Sequence, residues 1–252
     1  MLRKNKISAL IIAKNEEGQI ENCLKTLFFA DEIVLVLDSC IDETEKISRK
    51  YTQKIFKRSF LQEGERRNFG ISKCNNDWIF EIDADERVTE GLSKEIRKTI
   101  NESLQNYHNI PVDNYVGQRL VKYGWGAYFG KSAYPGLFKK GFKRWGNQRV
   151  HPKLHLKGKK GKDLQNPIKH FYCKNISDMF IKLNKYSDAR STDIINLKIE
   201  ESLILNLRRV ISRFWKCFVL RKGYKEGNFG FLIAVIASLY PLLSFLKSRY
   251  RK

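Results

Sequence analysis

Between residues 7 and 104, short apolar runs alternate with segments of helical spacing, and this alternation constrains the fold more than any other feature of the chain. Ile7-Ser8-Ala9-Leu10-Ile11-Ile12-Ala13 reads as a buried strand, because a near-continuous apolar run suits a parallel sheet covered on both faces. Lys14 to Gly18 form a turn, after which Ile20, Cys23, Leu24, Leu27 and Phe28 recur at helical spacing. Ile33 to Leu37 is a second strand ending at Asp38, and Asp42-Glu43-Thr44-Glu45 has the form of a capping box opening a helix toward Tyr51. Lys54 to Phe56 reads as a short third strand and Glu63 to Cys74 as a polar helix carrying Arg66, Arg67 and Asn68. Trp78 to Ile82 is a fourth strand broken only by Glu81, and Leu92 to Leu104 a further helix. This order predicts an α/β fold, a mostly parallel sheet with helices on both faces.

In such sheets ligands bind beyond the carboxyl ends of the strands. Asn15, Asp38 and the pair Asp83 and Asp85 all fall just after strands, so they converge on one edge. Two carboxylates one residue apart repel unless a cation lies between them. A hard divalent ion with oxygen ligands, Mg²⁺ or Mn²⁺, relieves that repulsion and keeps positions open for nucleotide phosphates. Each residue also has a plainer structural reading: Asn15 as a turn residue, Asp38 as a local acceptor, Asp42 as a helix cap, Arg66 and Arg67 as a solvated face. Their convergence favours the chemical reading.

Lys and Arg outnumber Asp and Glu by 48 to 27, a formal charge of +21, which favours anionic partners: nucleic acid, acidic lipid or phosphorylated glycan. Acidic clusters after strands repel nucleic-acid phosphates unless metal-filled, so no nucleic acid is expected. The five Cys are odd in number and widely spaced, as free thiols in a reducing compartment are. The apolar start ends in Lys14-Asn15-Glu16-Glu17 and reads as a strand, not as a signal peptide.

Ile11 to Glu17, Ala30-Asp31-Glu32-Ile33-Val34, Asp38-Ser39, Glu65-Arg66-Arg67-Asn68-Phe69-Gly70 and Asp83-Ala84-Asp85-Glu86-Arg87 together resemble family 2 glycosyltransferases with the GT-A fold. The branch most resembled contains lipopolysaccharide core β-1,4-glucosyltransferases. The resemblance is strong from residue 5 to about residue 100 and weaker beyond. It implies a GT-A, Rossmann-like domain that transfers a hexose, glucose in that branch, with inversion, from a UDP-sugar to a lipid-linked or phosphorylated glycan such as lipopolysaccharide core, assisted by Mg²⁺ or Mn²⁺. By that resemblance Ala13, Asn15 and Glu16 border the nucleotide and Asp38 accepts from the uracil N3–H. Arg67, with Arg66, faces the diphosphate. Asp83 and Asp85 hold the metal and the ribose-diphosphate, with Asp85 among the catalytic residues.

The implied domain spans residues 1–175, with a nucleotide-sugar half at 1–104 and an acceptor half at 105–175. The second half is rich in Tyr, Trp and Gly between residues 115 and 136, which suits either stacking on sugar rings or an ordinary core. Gly146 to Pro152 matches the segment where relatives read Val-His-Glu, but Pro152 stands where their Glu would be the base. His151 remains there as a candidate base or metal ligand; Asp163, Asp178 and Asp188 are others, and His155 and His170 are the remaining histidines nearby. Lys153 to Lys162 form a basic run, either a solvated hairpin or a contact for acidic acceptor groups.

Residues 176–252 read as a helical, basic and apolar tail. Leu207, Val210, Ile211, Phe214, Trp215 and Phe218 form one stripe and Arg209, Arg213 and Lys216 another, the pattern of a helix lying on an anionic membrane. Gly227 to Leu246 carries no charge and contains Pro241. Basic residues flank both its ends, which favours a monotopic segment with both ends at the cytoplasmic face of a bacterial inner membrane over a spanning helix. Packing as a core helix is the alternative.

Overall fold

The computed structural model describes residues 4–125, 130–146 and 153–250. The chain forms two compact units, Met1–Val112 with Ala133–His170 and Asp113–Ser132 with Phe171–Lys252. The expected boundary near residue 175 is thus drawn differently, since residues 113–132 group with the tail.

The first unit opens as the sequence predicts: β1 (Ile7–Ala13), α1 (Ile20–Leu24), β2 (Glu32–Asp38), α2 (Thr44–Ser48), β3 (Ile55–Arg58), α3 (Glu63–Lys73), β4 (Trp78–Asp83), β5 (Glu86–Arg87) and α4 (Glu90–Glu102). Strands then dominate: β6 (Tyr107–Val116), β7 (Arg119–Val121), β8 (Ala133–Lys139), β9 (Lys143–Trp145), β10 (Leu154–Leu156) and β11 (Ile168–Cys173). The main sheet has the order β3-β2-β1-β4-β8-β6-β11-β5, with β7 on β6. β3, β2, β1 and β4 are parallel neighbours, and β8 joins antiparallel.

Alternation along β1 divides the core. Ile7, Ala9, Ile11 and Ala13 pack with Ile20, Leu24 and Leu27 and with Leu92, Ile96 and Ile100 of α4. Leu10 turns to the opposite layer with Val34, Val36, Ile71 and Phe138. Helices therefore cover both faces, and each fully buried Leu or Ile contributes about 1.5–3 kcal/mol. Gly70 lets α3 lie close: a Cβ there would sit 2.7 Å from a Leu10 methyl.

The second unit holds α5 (Ile176–Asn196), α6 (Leu203–Trp215) and α7 (Asn228–Tyr250), with a π-type turn at Lys216–Leu220 and a 3₁₀ turn at Gly223–Glu226. Asn175 and Ser202 cap α5 and α6 by accepting from Asp178 N at 2.9 Å and Leu205 N at 3.2 Å. α7 is long and apolar enough to cross a membrane by length and composition, yet 56% of its most apolar stretch is buried. Ile233, Ala234, Ile236, Ala237 and Tyr240 pack with Met179 and Leu183 of α5 and with Val121, Trp125 and Tyr172. The helix continues through Pro241. Proline costs the helix one bond, and Pro241 is among its buried residues.

Candidate active site at the carboxyl edge of the sheet

Parallel pairing places Ala13 beside Leu37 and Ile12 beside Asp83, so β1, β2 and β4 release their next residues along one edge. The first loops are strained there. Asn15 and Ser39 are non-glycine residues at φ 55° and 54°, a conformation that costs about 1 kcal/mol or more each and collects at functional sites. The two loops are stitched together. Asn15 Oδ1 accepts from Ile41 N at 2.9 Å, Thr44 Oγ1 from Glu16 N at 2.8 Å, Asp42 Oδ2 from Glu17 N at 3.0 Å and Glu17 Oε2 from Glu43 N at 3.1 Å. Asn15 and Asp42 thus have defined structural roles.

Asp38 ends β2 and is buried. Its Oδ1 accepts from Phe60 N at 3.2 Å and its Oδ2 from Arg66 at 3.2 Å. Arg66 Nε is buried without a hydrogen-bond partner. Arg66 was expected with Arg67 at the diphosphate; instead the structure separates the two, because adjacent helical residues point about 100° apart.

Arg67 lies under Glu81, the polar break in β4. It ion-pairs with Glu81, with Glu63 at 2.9 Å and with Asp83 at 3.3 Å. Lys143 Nζ reaches the other Glu81 oxygen at 2.7 Å and donates to Pro135 O at 2.8 Å. Asn68 exchanges two hydrogen bonds with the backbone of Trp145, at 2.8 and 2.9 Å, which fastens β9 to α3. The Trp145 ring then lies 5.0 Å from the Arg67 guanidinium and 5.1 Å from Lys143 Nζ. Burial alone would raise the Glu81 carboxyl, but Lys143 and Arg67 hold it below the usual range. Burial likewise works against the Arg67 cation, and Asp83, Glu81 and Glu63 overcome it and raise its pKa.

The Asp83-Ala84-Asp85 turn is shaped by Glu86, fully buried, whose Oε2 accepts from Asp83 N at 3.0 Å. The Tyr134 hydroxyl lies 3.1 Å from the same oxygen and 3.0 Å from Glu81 O. Burial, then the Glu86 charge, push that phenol well above its ordinary range. Pairing of β11 with β5 sets His170 opposite Glu86 and brings His170 Nε2 to 3.4 Å from Asp85 Oδ2.

A divalent cation fits this donor set as an open site. Mg²⁺ bonds are about 2.0–2.1 Å in an octahedron, so two adjacent donors lie about 3 Å apart, close to the Asp85–His170 separation. Asp83 is turned toward Arg67, and no group of three His, Cys, Asp or Glu side chains at metal-binding spacing occurs among the described residues.

Ala13, Asn15, Glu16, Asp38, Asp83 and Asp85 thus share the carboxyl edge, with Arg66 at its β2 side and Arg67 at its β4 side. His151 and Pro152 lie outside the described residues. Asp163 pairs with Lys160 at 2.8 Å, Asp178 accepts from Lys174 N at 2.9 Å, and Asp188 pairs with Lys247 at 3.0 Å. Lys157, Lys159, Lys160 and Lys162 are exposed, which fits both a solvated hairpin and a contact for acidic acceptor groups. Sequence reasoning did not assign His170, Glu86, Lys143, Tyr134 or Trp145 to the site. Glu81 interrupting an apolar strand was the one local signal; the others arrive through long-range pairing.

A family model described as glycosyl transferase family 2 matches residues 8–176. A lipopolysaccharide core biosynthesis glycosyltransferase, LpsC of Rhizobium meliloti, is 26% identical over 98% of this chain and 93% of its own length. An uncharacterised glycosyltransferase of Rickettsia bellii is 27% identical over 98% of this chain and 87% of its own. Among solved structures, S. aureus TarS 1-349 in complex with UDP superposes with a TM-score of 0.52 at 15% identity, over 96% of this chain and 88% of that one. The last likeness concerns the fold alone.

Proposed function

From the premise that this chain belongs to glycosyl transferase family 2 and is a glycosyltransferase of the GT-A fold, we propose that it transfers a hexose, glucose in our reading, from a UDP-sugar to a lipid-linked glycan such as lipopolysaccharide core, with inversion. One observation carries the donor assignment. Among the described residues, more carboxylates (Glu63, Glu81, Asp83, Asp85, Glu86) than cations (Arg67, Lys143, Arg87) meet at the end of β4, so in this reading a diphosphate enters with a divalent cation. In this reading Asp85 and His170 hold Mg²⁺ or Mn²⁺, and Asp83 and Arg67 face the ribose-diphosphate. Bound there, the ion supplies charge stabilisation to the leaving nucleoside diphosphate. Asp38 accepts from the uracil N3–H, and Ala13, Asn15 and Glu16 border the nucleotide. Inversion takes one displacement, so a base on the opposite face of the sugar removes the acceptor proton, a role we give to His151. A panel of nucleotide sugars tests this reading by thermal stabilisation: UDP-hexose with Mg²⁺ or Mn²⁺ should raise the midpoint well beyond either alone. Equal shifts from CDP- and GDP-sugars would refute the uracil assignment.

Asp38→Ala should weaken UDP binding about ten- to a hundredfold, the cost of one hydrogen bond to a charged group, while maximal turnover changes less. Calorimetric titration with UDP checks this; an unchanged Kd would remove Asp38 from base recognition.

We further propose peripheral attachment to the cytoplasmic face of the inner membrane through α6. Leu203, Ile204, Leu207, Ile211 and Trp215 are exposed along this helix. Exposed Arg208 and Lys216 flank them. Contrary to the expected stripe, Phe214 and Phe218 pack on the core, and Arg209 turns to Glu201 at 2.8 Å. Changing Leu207, Ile211 and Trp215 together to Ser should cut co-sedimentation with phosphatidylglycerol vesicles by at least about tenfold with little change in melting. Undiminished co-sedimentation would exclude α6 as the anchor.

A further inference from the structure

Arg87 ends β5 and is half-buried. One arm of its guanidinium, Nη1, donates to Ala84 O at 2.8 Å and to Glu86 O at 2.7 Å. These two carbonyls belong to the residues immediately before and after Asp85. The other arm, Nη2, donates to Gln19 O at 3.0 Å and to Gln19 Oε1 at 2.5 Å, 68 residues earlier in the chain. The two arms of one side chain thus hold two separate segments, and they do so through neutral oxygens.

Both segments lead to the proposed donor site. On the first, Glu86 accepts from Asp83 N, so the backbone of the turn is held at Asp83, Ala84 and Glu86. Pairing of β5 with β11 sets His170 opposite Glu86 and Lys169 opposite Arg87. Asp85 and His170 therefore both hang on backbone that Arg87 helps to fix. On the second, Gln19 N and Ile20 N donate to Glu16 O at 2.9 and 2.8 Å, and Glu16 N donates to Thr44 Oγ1 at 2.8 Å. A run of hydrogen bonds connects the peptide groups around Asp85 to the loop that borders the nucleotide in our reading.

We propose that Arg87 is a positioning residue for the divalent cation: by gripping the turn and the start of α1 together, it holds Asp85 at its spacing from His170. This rests on the donor reading above, in which those two groups hold Mg²⁺ or Mn²⁺. A simple brace for a tight turn accounts for the bonds to Ala84 and Glu86 but not for the reach to Gln19, which supplies an anchor outside the turn. Positive charge alone does not account for it either. A lysine ammonium places three donors at one point, whereas the planar guanidinium fork spans both segments. Loss of a group that orients a metal ligand costs about 10–100-fold in metal affinity.

The experiment measures Mn²⁺ binding to the full chain at saturating UDP, from the paramagnetic resonance of free Mn²⁺. Calorimetric titration of UDP in metal-free buffer and ligand-free melting curves accompany it. Arg87→Lys keeps the charge and removes the fork; it should raise the Mn²⁺ Kd at least about tenfold and leave the metal-free UDP Kd within about twofold. Gln19→Ala deletes one of the four acceptors at a part-exposed position and should raise the Mn²⁺ Kd about threefold, which keeps the test decisive if Arg87→Lys folds poorly. Full Mn²⁺ affinity in both variants would overturn the positioning role. Equal losses of Mn²⁺ binding and of metal-free UDP binding would make Arg87 a general structural brace and overturn it as well. If the unaltered protein takes up no Mn²⁺ with UDP, the donor reading fails and this inference falls with it; uptake that neither variant changes defeats this inference alone.

Discussion

Replacing Asp85 by alanine is expected to abolish sugar transfer while the protein stays folded. Asp85 lies beyond the end of β4, its side chain 26% exposed, beside His170. Removing it takes away little packing but deletes one of the two groups, 3.4 Å apart, that we propose to hold the metal. Several kcal/mol of charge stabilisation at the leaving diphosphate then disappears, and a rate loss of at least about a thousandfold follows. Initial rates across Mg²⁺ and Mn²⁺ concentrations, with melting curves in the same buffers, check both halves. Ordinary turnover by the variant, or a full metal-dependent shift with UDP, would remove Asp85 from the metal site. His170→Ala should lower the same metal response if the imidazole is the second donor, as we propose.

Arg67→Met is expected to be the most destabilising single change at this edge. Arg67 neutralises Glu81 inside the sheet, and Met would leave that carboxylate facing Lys143 alone among the described residues, with Glu63 and Asp83 deprived of their contact with Arg67. Breaking a buried ion pair from one side costs about 3–5 kcal/mol, a large part of a domain's stability. Urea unfolding midpoints measure it; a loss under about 1 kcal/mol would show that Lys143 alone satisfies Glu81. The pH dependence has a definite sign. Lys143 and Arg67, against the effect of burial, depress the folded carboxyl of Glu81, so near the ordinary glutamate range of about 4.3 the unfolded chain binds the proton and the folded one does not. This contribution is present above that range and is lost as pH falls through the depressed value. Arg67→Met should therefore show a shallower acid-induced loss than the parent protein.

The strand ends were legible because each apolar run stops at a residue with its own chemistry: Ala13 before Asn15, Leu37 before Asp38, Ile82 before Asp83. Parallel pairing then does the rest, since it aligns the ends of neighbouring strands. What the sequence hid depends on contacts far apart along the chain. His170 meets Asp85 only because β11 pairs with β5, and Trp145 reaches Arg67 only because Asn68 grips β9. Local spacing carries no trace of either. The tail shows the opposite error. A helical wheel gives one apolar stripe on α6, but two surfaces compete for it: Phe214 and Phe218 go inward, and Leu203, Ile204, Leu207, Ile211 and Trp215 stay outside.

The stitching of Asn15 to Ile41 and of Glu17 to Asp42 and Glu43 also has a kinetic meaning. Neither loop can open by itself without breaking bonds to the other, so the two form one cooperative opening unit. Amide protons of Glu16, Glu17, Ile41 and Glu43 should then exchange with solvent at a common rate, and a nucleotide touching only one loop should slow exchange in both.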